Sequence, residues 1–321
     1  MAHIDEIIVN GVLTRVNHLD STAQEVDDAV AASRWQTSPN LLDNWYFANP
    51  VNQRGQTEYT APGFTVDRWK LTNPNGTLSV GDDGIALFGR AGNIWLQEHL
   101  ENEAELYGKQ VTLSVIADGM LYSATGIVQA EAVSQNTAVC SKAFTNATVG
   151  LYKTAAGGLF VQLHAANTKT VVYYAVKLEL GTQQTLAHQD ADGNWVLNEI
   201  PDYGEELAKC QRHQLVLGNS NDAYAVFGCG TVLSAANGQA RIVIPTPVSL
   251  RARPTLSYSG NFQLHPGDTS GERVVSAMTL SALNSNAVEI QAISTNLTIG
   301  MAVNLKAFND VAAKIILDAN L

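Results

Sequence analysis

Between residues 40 and 200 the chain keeps no long helical period; what recurs is alternation with a period of two. Val111, Leu113 and Val115 alternate with Thr112 and Ser114, and Phe160, Gln162 and His164 alternate with Val161 and Leu163. Val172, Tyr174, Val176, Leu178 and Leu180 make one face of a longer run, with Tyr173, Ala175, Lys177 and Glu179 on the other. Successive side chains of a strand point to opposite faces, so this pattern predicts strands with one buried and one wetter face. Pairs such as Asn75-Gly76, Asp83-Gly84, Asp118-Gly119 and Gly157-Gly158 supply the tight turns between them. About 160 residues of short strands and tight turns favour a jelly roll over 40–200.

The flanking segments divide the remainder. Residues 1–39 form an N-terminal piece. Ile7-Ile8-Val9 and Val12-Leu13 are joined by Asn10-Gly11, a pair suited to a type I′ turn, which predicts a hairpin. Leu19, Ala23, Val26 and Val30 then follow at heptad spacing, which predicts a short helix and a candidate oligomer seam. Residues 201–218 predict a linker helix: Asp202, Glu205 and Glu206 suit its positive end, Leu207, Cys210 and Gln214 form a second stripe, and Gly218 stands at the stop. Gln214 on such a stripe would hydrogen-bond its symmetry copies on a threefold axis. Residues 219–321 predict a C-terminal β-sandwich head of about 100 residues. Its strands are expected over 241–244, 255–258, 274–278, 288–293, 301–307 and 314–317, with 261–273 as a loop.

Composition excludes several function classes. Charged residues are only 15 % of the chain, against roughly 25 % in ordinary soluble domains. The polar surface is therefore rich in Asn, Thr, Ser and Gln, which suits hydroxyl-bearing ligands. A formal charge of −11 and the lack of any basic run argue against a nucleic-acid partner. No apolar run is long enough to span a bilayer, so no membrane insertion is expected. The opening MAHIDEIIVNG has neither a basic start nor an apolar core, which predicts cytoplasmic synthesis without a signal peptide. Cys140, Cys210 and Cys229 are widely spaced and predict free thiols rather than a disulfide framework or zinc site.

No catalytic constellation emerges, so no enzyme is expected. Asp82-Asp83-Gly84 reads as a turn, Glu101, Glu103 and Glu105 as a solvated loop, and Glu179 as a residue on a sheet face. His188 to Glu199 matches a calcium loop in its glycine and final glutamate, but begins with a histidine, a poor ligand for a hard cation; a plain hairpin turn at Asp192-Gly193-Asn194 is expected. No cofactor and no metal are therefore expected. A sugar-binding surface needs aromatic platforms beside amides. Trp45, Tyr46, Trp69, Trp95 and Trp195 are candidates, with Trp69 and Trp95 expected in the core. In the head, Tyr258, Phe262 and His265 make a candidate ligand surface.

Several stretches carry a family resemblance. NLLDNWYFANPVNQRG with FTVDRWKL, IWLQEHLEN with LYGKQVTLSVIADG, YYAVKLELGTQQT with PDYGEELAKCQRH, and LRARPTLSYSGNFQL together make the chain similar to phage tail fibre or receptor-binding proteins from phages and prophages of Gram-positive gut bacteria. The resemblance covers roughly 40–260, and its motifs are structural rather than catalytic. It implies a homotrimer with a jelly roll like a carbohydrate-binding module. It further implies attachment to other tail or baseplate proteins of a virion, and adhesion to a host cell-surface glycan outside the cell. The alternatives are a virion spacer without receptor binding and a fibre-borne glycan depolymerase. One departure concerns the joint: where relatives often continue with aromatic residues after CQR, this chain has His213-Gln214-Leu215.

Overall fold

The computed structural model describes residues 6–9, 12–15, 37–131, 136–155, 158–218, 221–266 and 273–320. It is mainly β, with 51 % strand and 6 % helix in several antiparallel sheets. Strands β1 (Glu6–Val9) and β2 (Val12–Arg15) pair antiparallel with Val9 opposite Val12, the hairpin expected there. The heptad stripe Leu19, Ala23, Val26 and Val30 lies outside the described residues.

Twelve strands follow in the middle region: β3 (Glu58–Tyr59), β4 (Gly63–Phe64), β5 (Lys70–Leu71), β6 (Gly76–Gly81), β7 (Gly84–Gly89), β8 (Ile94–His99), β9 (Gln110–Ala117), β10 (Met120–Ile127), β11 (Asn136–Phe144), β12 (Ala147–Thr154), β13 (Leu159–Ala165) and β14 (Thr170–Leu180). They form two six-stranded sheets, ordered β10-β9-β14-β7-β6-β3 and β11-β12-β13-β8-β5-β4. Alternation decides which side chains face inward, but a register shift between Tyr173 and Ala175 flips β14: Val171, Tyr173 and Ala175 enter the core before it and Val176 and Leu178 after it, so the single face expected from Val172 to Leu180 is broken. Leu113, Val115, Tyr173 and Leu178 of the first sheet share one core with Leu96, Val149, Val161 and Leu163 of the second. Trp69 is fully enclosed there; its ring meets Phe47 edge-on at 5.2 Å and its indole N–H donates to Asn44 O at 3.1 Å.

The two sheets differ in what covers their outer faces. Over the first lies the segment 182–200, which includes the hairpin of β15 (Ala187–Gln189) and β16 (Trp195–Leu197). Lys177, 0 % exposed, donates to Glu199 Oε1 at 2.7 Å, and Glu179 accepts from the Thr185 N–H at 2.7 Å. Leu186 and Ala187, where the segment enters the hairpin, are buried in the domain core. Its turn is the plain one expected: Asp190 Oδ1 accepts from the N–H groups of Asp192 and Asn194, and Gly193 takes φ +84°. On the second sheet, the outward residues of β8 and β13 keep part of their surface open.

Helix α1 (Tyr203–His213) begins where the acidic residues predicted it, with the Asp202 side chain accepting from the Glu205 N–H. It ends earlier than the stripe implied. Gln214 is extended, and Gln214–Leu217 forms β17, whose Leu215 pairs with Leu317. The head continues with β18 (Val226–Ser234), β19 (Gln239–Pro245), β20 (Thr255–Ser259), β21 (Phe262–His265), β22 (Ala277–Leu283), β23 (Ala287–Ile293), β24 (Ala302–Ala307) and β25 (Lys314–Asp318). They make a three-stranded sheet, β17-β25-β20, and a six-stranded sheet, β21-β24-β18-β19-β23-β22. The head's sheets thus begin at Gln214, ahead of the expected boundary at 219. Strand β21 occupies part of the expected 261–273 loop, and Val274 contributes only an isolated bridge to Gln263.

The second stripe does not make an open seam. Glu206, Cys210 and His213 form the buried face of α1; Cys210 is 0 % exposed, Gln214 3 %, and Leu207 half-buried, all within one chain. Cys210 and Gln214 are therefore buried against their own domains. The physical reason is the joint itself. Asn44 N–H donates to Glu206 Oε2 at 2.6 Å, Gln53 Nε2 to Gln214 O at 2.8 Å, and Lys314 Nζ to Arg54 O at 2.7 Å. At its centre Arg68 donates to Asp43 Oδ2 at 3.0 Å and to His99 O at 2.8 Å, and contacts His213 Nδ1 at 2.9 Å. An arginine only donates, so His213 Nδ1 is the acceptor and the neutral ring carries its proton on Nε2. Burial, then the charges of Arg68, Arg251 and Arg212, lower the His213 pKa to about 3.

Candidate functional site

The open face of the second sheet is built from two short sequences of the same form, Trp95-x-Gln97-x-His99 on β8 and Phe160-x-Gln162-x-His164 on β13. The intervening residues Leu96, Glu98, Val161 and Leu163 point inward. The strands run antiparallel, with Trp95 opposite His164, Gln97 opposite Gln162, and His99 opposite Phe160. Each aromatic ring is thereby set beside an imidazole, with an amide pair between them.

The contacts follow from this register. Trp95 stacks on His164 with centroids 6.3 Å apart and planes at 27°. Gln97 Nε2 donates to Gln162 Oε1 at 2.7 Å. His99 stacks on Phe160 at 5.3 Å and 30°, and Phe160 on Tyr152 of β12 at 5.5 Å and 22°. Phe160 is enclosed between its neighbours, whereas Trp95, Gln97, His99, Tyr152, Gln162 and His164 are half-buried. The Tyr152 ring lies over Gly150, where a Cβ would come within 2.6 Å of it. From Trp95 to His99 the ladder extends ~14 Å at the strand rise per residue.

The platform carries little charge. Burial lowers the pKa of both His164 and His99, and Lys70 and Arg68 push His99 further down, so both rings are neutral at pH 7. The Gln97–Gln162 bond uses one donor and one acceptor of a pair that has several more. His164 Nδ1 has no hydrogen-bond partner among the described residues.

At the His99 end the platform opens into a groove of about 570 Å³ lined by His99, Glu101, Asn102, Glu103, Arg212 and Arg251, among others. One wall comes from the middle domain and the other from α1 and the head. Arg251 Nε donates to Glu101 Oε1 at 2.6 Å, while Lys153 Nζ and the Tyr107 hydroxyl donate to Glu103 Oε1 at 2.8 and 2.7 Å. Glu101 and Glu103 are thus ion-paired, not a solvated loop; their cations are distant in sequence. Glu98, directly behind the platform, is enclosed; burial holds its carboxyl well above the usual range, against the opposing pull of Arg68.

The other sequence candidates divide. Trp45 and Trp69 are core, and Tyr46 packs edge-on against Tyr174 at 5.5 Å. Trp95, expected in the core, stands on the open face. In the head, Tyr258 is 40 % exposed and its hydroxyl accepts from the Met278 N–H, and His265 is half-buried. Phe262 is 2 % exposed and packs against Phe227 and Tyr258, so it belongs to the head core rather than to a ligand surface. Among the described residues no cluster of three or more His, Cys, Asp or Glu side chains could hold a metal ion, and no helix is long and apolar enough to cross a membrane.

No protein-family model matches the chain, and no curated protein matches it.

Proposed function

We propose that this chain is a phage tail fibre or receptor-binding protein, and that it adheres to a bacterial host surface through glycans without chemically altering them. The middle domain, read as a jelly roll of the carbohydrate-binding kind, supplies the binding face. The carrying observation is the antiparallel register that lays Trp95, Gln97 and His99 against His164, Gln162 and Phe160 on the open face. Aromatic faces stack on the apolar C–H faces of sugar rings, and amides between them bond to hydroxyls. A glycan lying along β8 reaches from Trp95 to the groove, where Asn102, Arg212 and Arg251 meet it.

A single site of this kind is weak. Three copies on one fibre raise the effective concentration and gain about 10²–10⁴ in avidity. The seam for such a trimer is assigned to the stripe Leu19, Ala23, Val26 and Val30, and the N-terminal hairpin to docking on tail or baseplate proteins of the virion.

The test is binding of the full chain to host cell-wall polysaccharide, by calorimetry or on a glycan array. Trp95→Ala is expected to weaken binding at least about tenfold, as loss of a central aromatic anchor does, with an unchanged melting temperature. Full binding by both Trp95→Ala and the Gln97→Ala/Gln162→Ala double variant would overturn the platform. Absence of binding by the wild type, even at high surface density, would favour the virion spacer. Stable monomers at micromolar concentration in sedimentation would remove the trimer.

A further inference from the structure

A second cavity, of about 400 Å³, lies on the opposite side of the middle domain, lined by Asp83, Ile116, Asp118, Gly119, Val172, Tyr174 and Trp195. Three local features build it. The strand β14 carries an irregularity between Tyr173 and Ala175, and such bulges re-aim a side chain; the Tyr174 beside it helps line the cavity. The covering hairpin supplies Trp195 from β16. Two tight turns, β6–β7 at Asp82-Asp83 and β9–β10 at Asp118-Gly119, bring the two carboxylates to the rim.

The chemistry of the lining is specific. Its walls are indole, phenol and aliphatic carbon, and among the described residues its only ionisable side chains besides Tyr174 are the two aspartates. The nearest lysine along β14, Lys177, is 0 % exposed and closed on Glu199. Tyr174 is held by Tyr46, whose hydroxyl stands 3.3 Å from its own. Asp118 is held through Oδ1, which accepts from the Val172 N–H at 2.9 Å. The Trp195 Nε1–H is enclosed and has no acceptor among the described residues. A buried donor left unpaired is unfavourable.

We infer that this cavity binds an organic ammonium group, with Trp195 and Tyr174 facing the cation and Asp83 and Asp118 balancing its charge. Aromatic faces attract cations through their quadrupole, and quaternary ammonium groups are bound in aromatic cages for this reason. The two carboxylates disfavour anions and leave neutral sugars without a charge partner. The site is separate from the glycan platform and does not depend on it.

The experiment titrates the full chain with choline, and separately with its neutral isostere, the alcohol in which carbon replaces the nitrogen. Trp195 side-chain NMR signals report the site. Choline is expected to bind in the millimolar range and roughly tenfold more tightly than the isostere. Asp83→Asn/Asp118→Asn keeps the shape of both exposed turns, and retains the acceptor for Val172; it is expected to erase most of that preference. Trp195→Ala is expected to abolish binding. Equal affinity for choline and the isostere, tighter binding of a neutral monosaccharide, or no perturbation of Trp195 by choline up to about 100 mM would each overturn the assignment. A choline preference unchanged in the double Asn variant would do the same.

Discussion

Removing the guanidinium of Arg68 is expected to destabilise the middle domain more than any surface change. The side chain is nearly fully enclosed, bonds Asp43, His213 and the carbonyl of His99, and lies 3.5 Å from Glu98 Oε1. Breaking a buried ion pair from one side costs about 3–5 kcal/mol, because the partner is left buried and uncompensated. The Glu98 carboxyl already holds its proton well above the usual range, so protonation relieves part of that cost. The expected loss for Arg68→Met is therefore at the lower end, about 3 kcal/mol, and smaller still in mild acid. For a domain of this size that lowers the melting temperature by roughly 6–12 °C. Arg68 stands at φ 71°, and Met carries the same Cβ, so the backbone cost is unchanged. Calorimetry of four proteins completes the assay: wild type, Arg68→Met, Glu98→Gln and the double variant. In the Glu98→Gln background the Arg68 substitution is expected to cost clearly less. A drop below about 2 °C, or an equal loss in both backgrounds, refutes the reasoning.

Two further perturbations follow from the same geometry. His213 has a folded pKa of about 3 against roughly 6.5 unfolded. The unfolded chain therefore binds the proton first, and stability falls as pH drops through that window. His213→Asn keeps an acceptor for Arg68 without titrating, so chemical denaturation between about pH 6.5 and 4.5 should show a shallower decline; an identical slope would exclude His213 as the source. In the head, a Cβ at Gly230 would stand 1.7 Å from Arg241 O. Gly230→Ala must separate β18 from β19, and should melt the head well before the middle domain in a proteolysis time course; a wild-type digestion pattern would count against this register.

Period-two alternation marks β9, β13 and β14 among the middle strands, and Asp202, Glu205 and Glu206 mark the start of α1. The misreadings have local causes. Leu215-Val216-Leu217 is a short apolar run that fits either period, so the stripe Leu207, Cys210, Gln214 carried the helix too far. Phe262-Gln263-Leu264-His265 alternates like a strand but is flanked by Gly260 and Pro266, which masked β21. Trp95 reads as core because Ile94 and Leu96 flank it, although in a strand apolar neighbours on both sides point a residue outward. That inversion concealed the platform, and the matching forms Trp-x-Gln-x-His and Phe-x-Gln-x-His were the available signal. The long-range contacts that close the joint were not legible. Arg68 and His213 are 145 residues apart, and local spacing carries no trace of such a pair.

The sparse charge of this chain is distributed unevenly, and the consequence can be measured. Asp43, Arg68, Glu98, Glu101, Glu206, Arg212 and Arg251 gather at the joint, whereas the ladder from Trp95 to Phe160 consists of rings and amides that are neutral at pH 7. Screening weakens exposed charge pairs and leaves stacking and amide hydrogen bonds almost untouched. A neutral glycan on the ladder should therefore keep its affinity within about twofold from 0.05 to 0.5 M salt, while an ammonium beside Asp83 and Asp118 should lose several-fold over about the same range. The two sites would then be told apart in one titration series. A glycan affinity that falls steeply with salt would mean that Arg212, Arg251 and Lys70, rather than the aromatic ladder, hold the ligand, and the platform would have to be reassigned as the support of a charged groove.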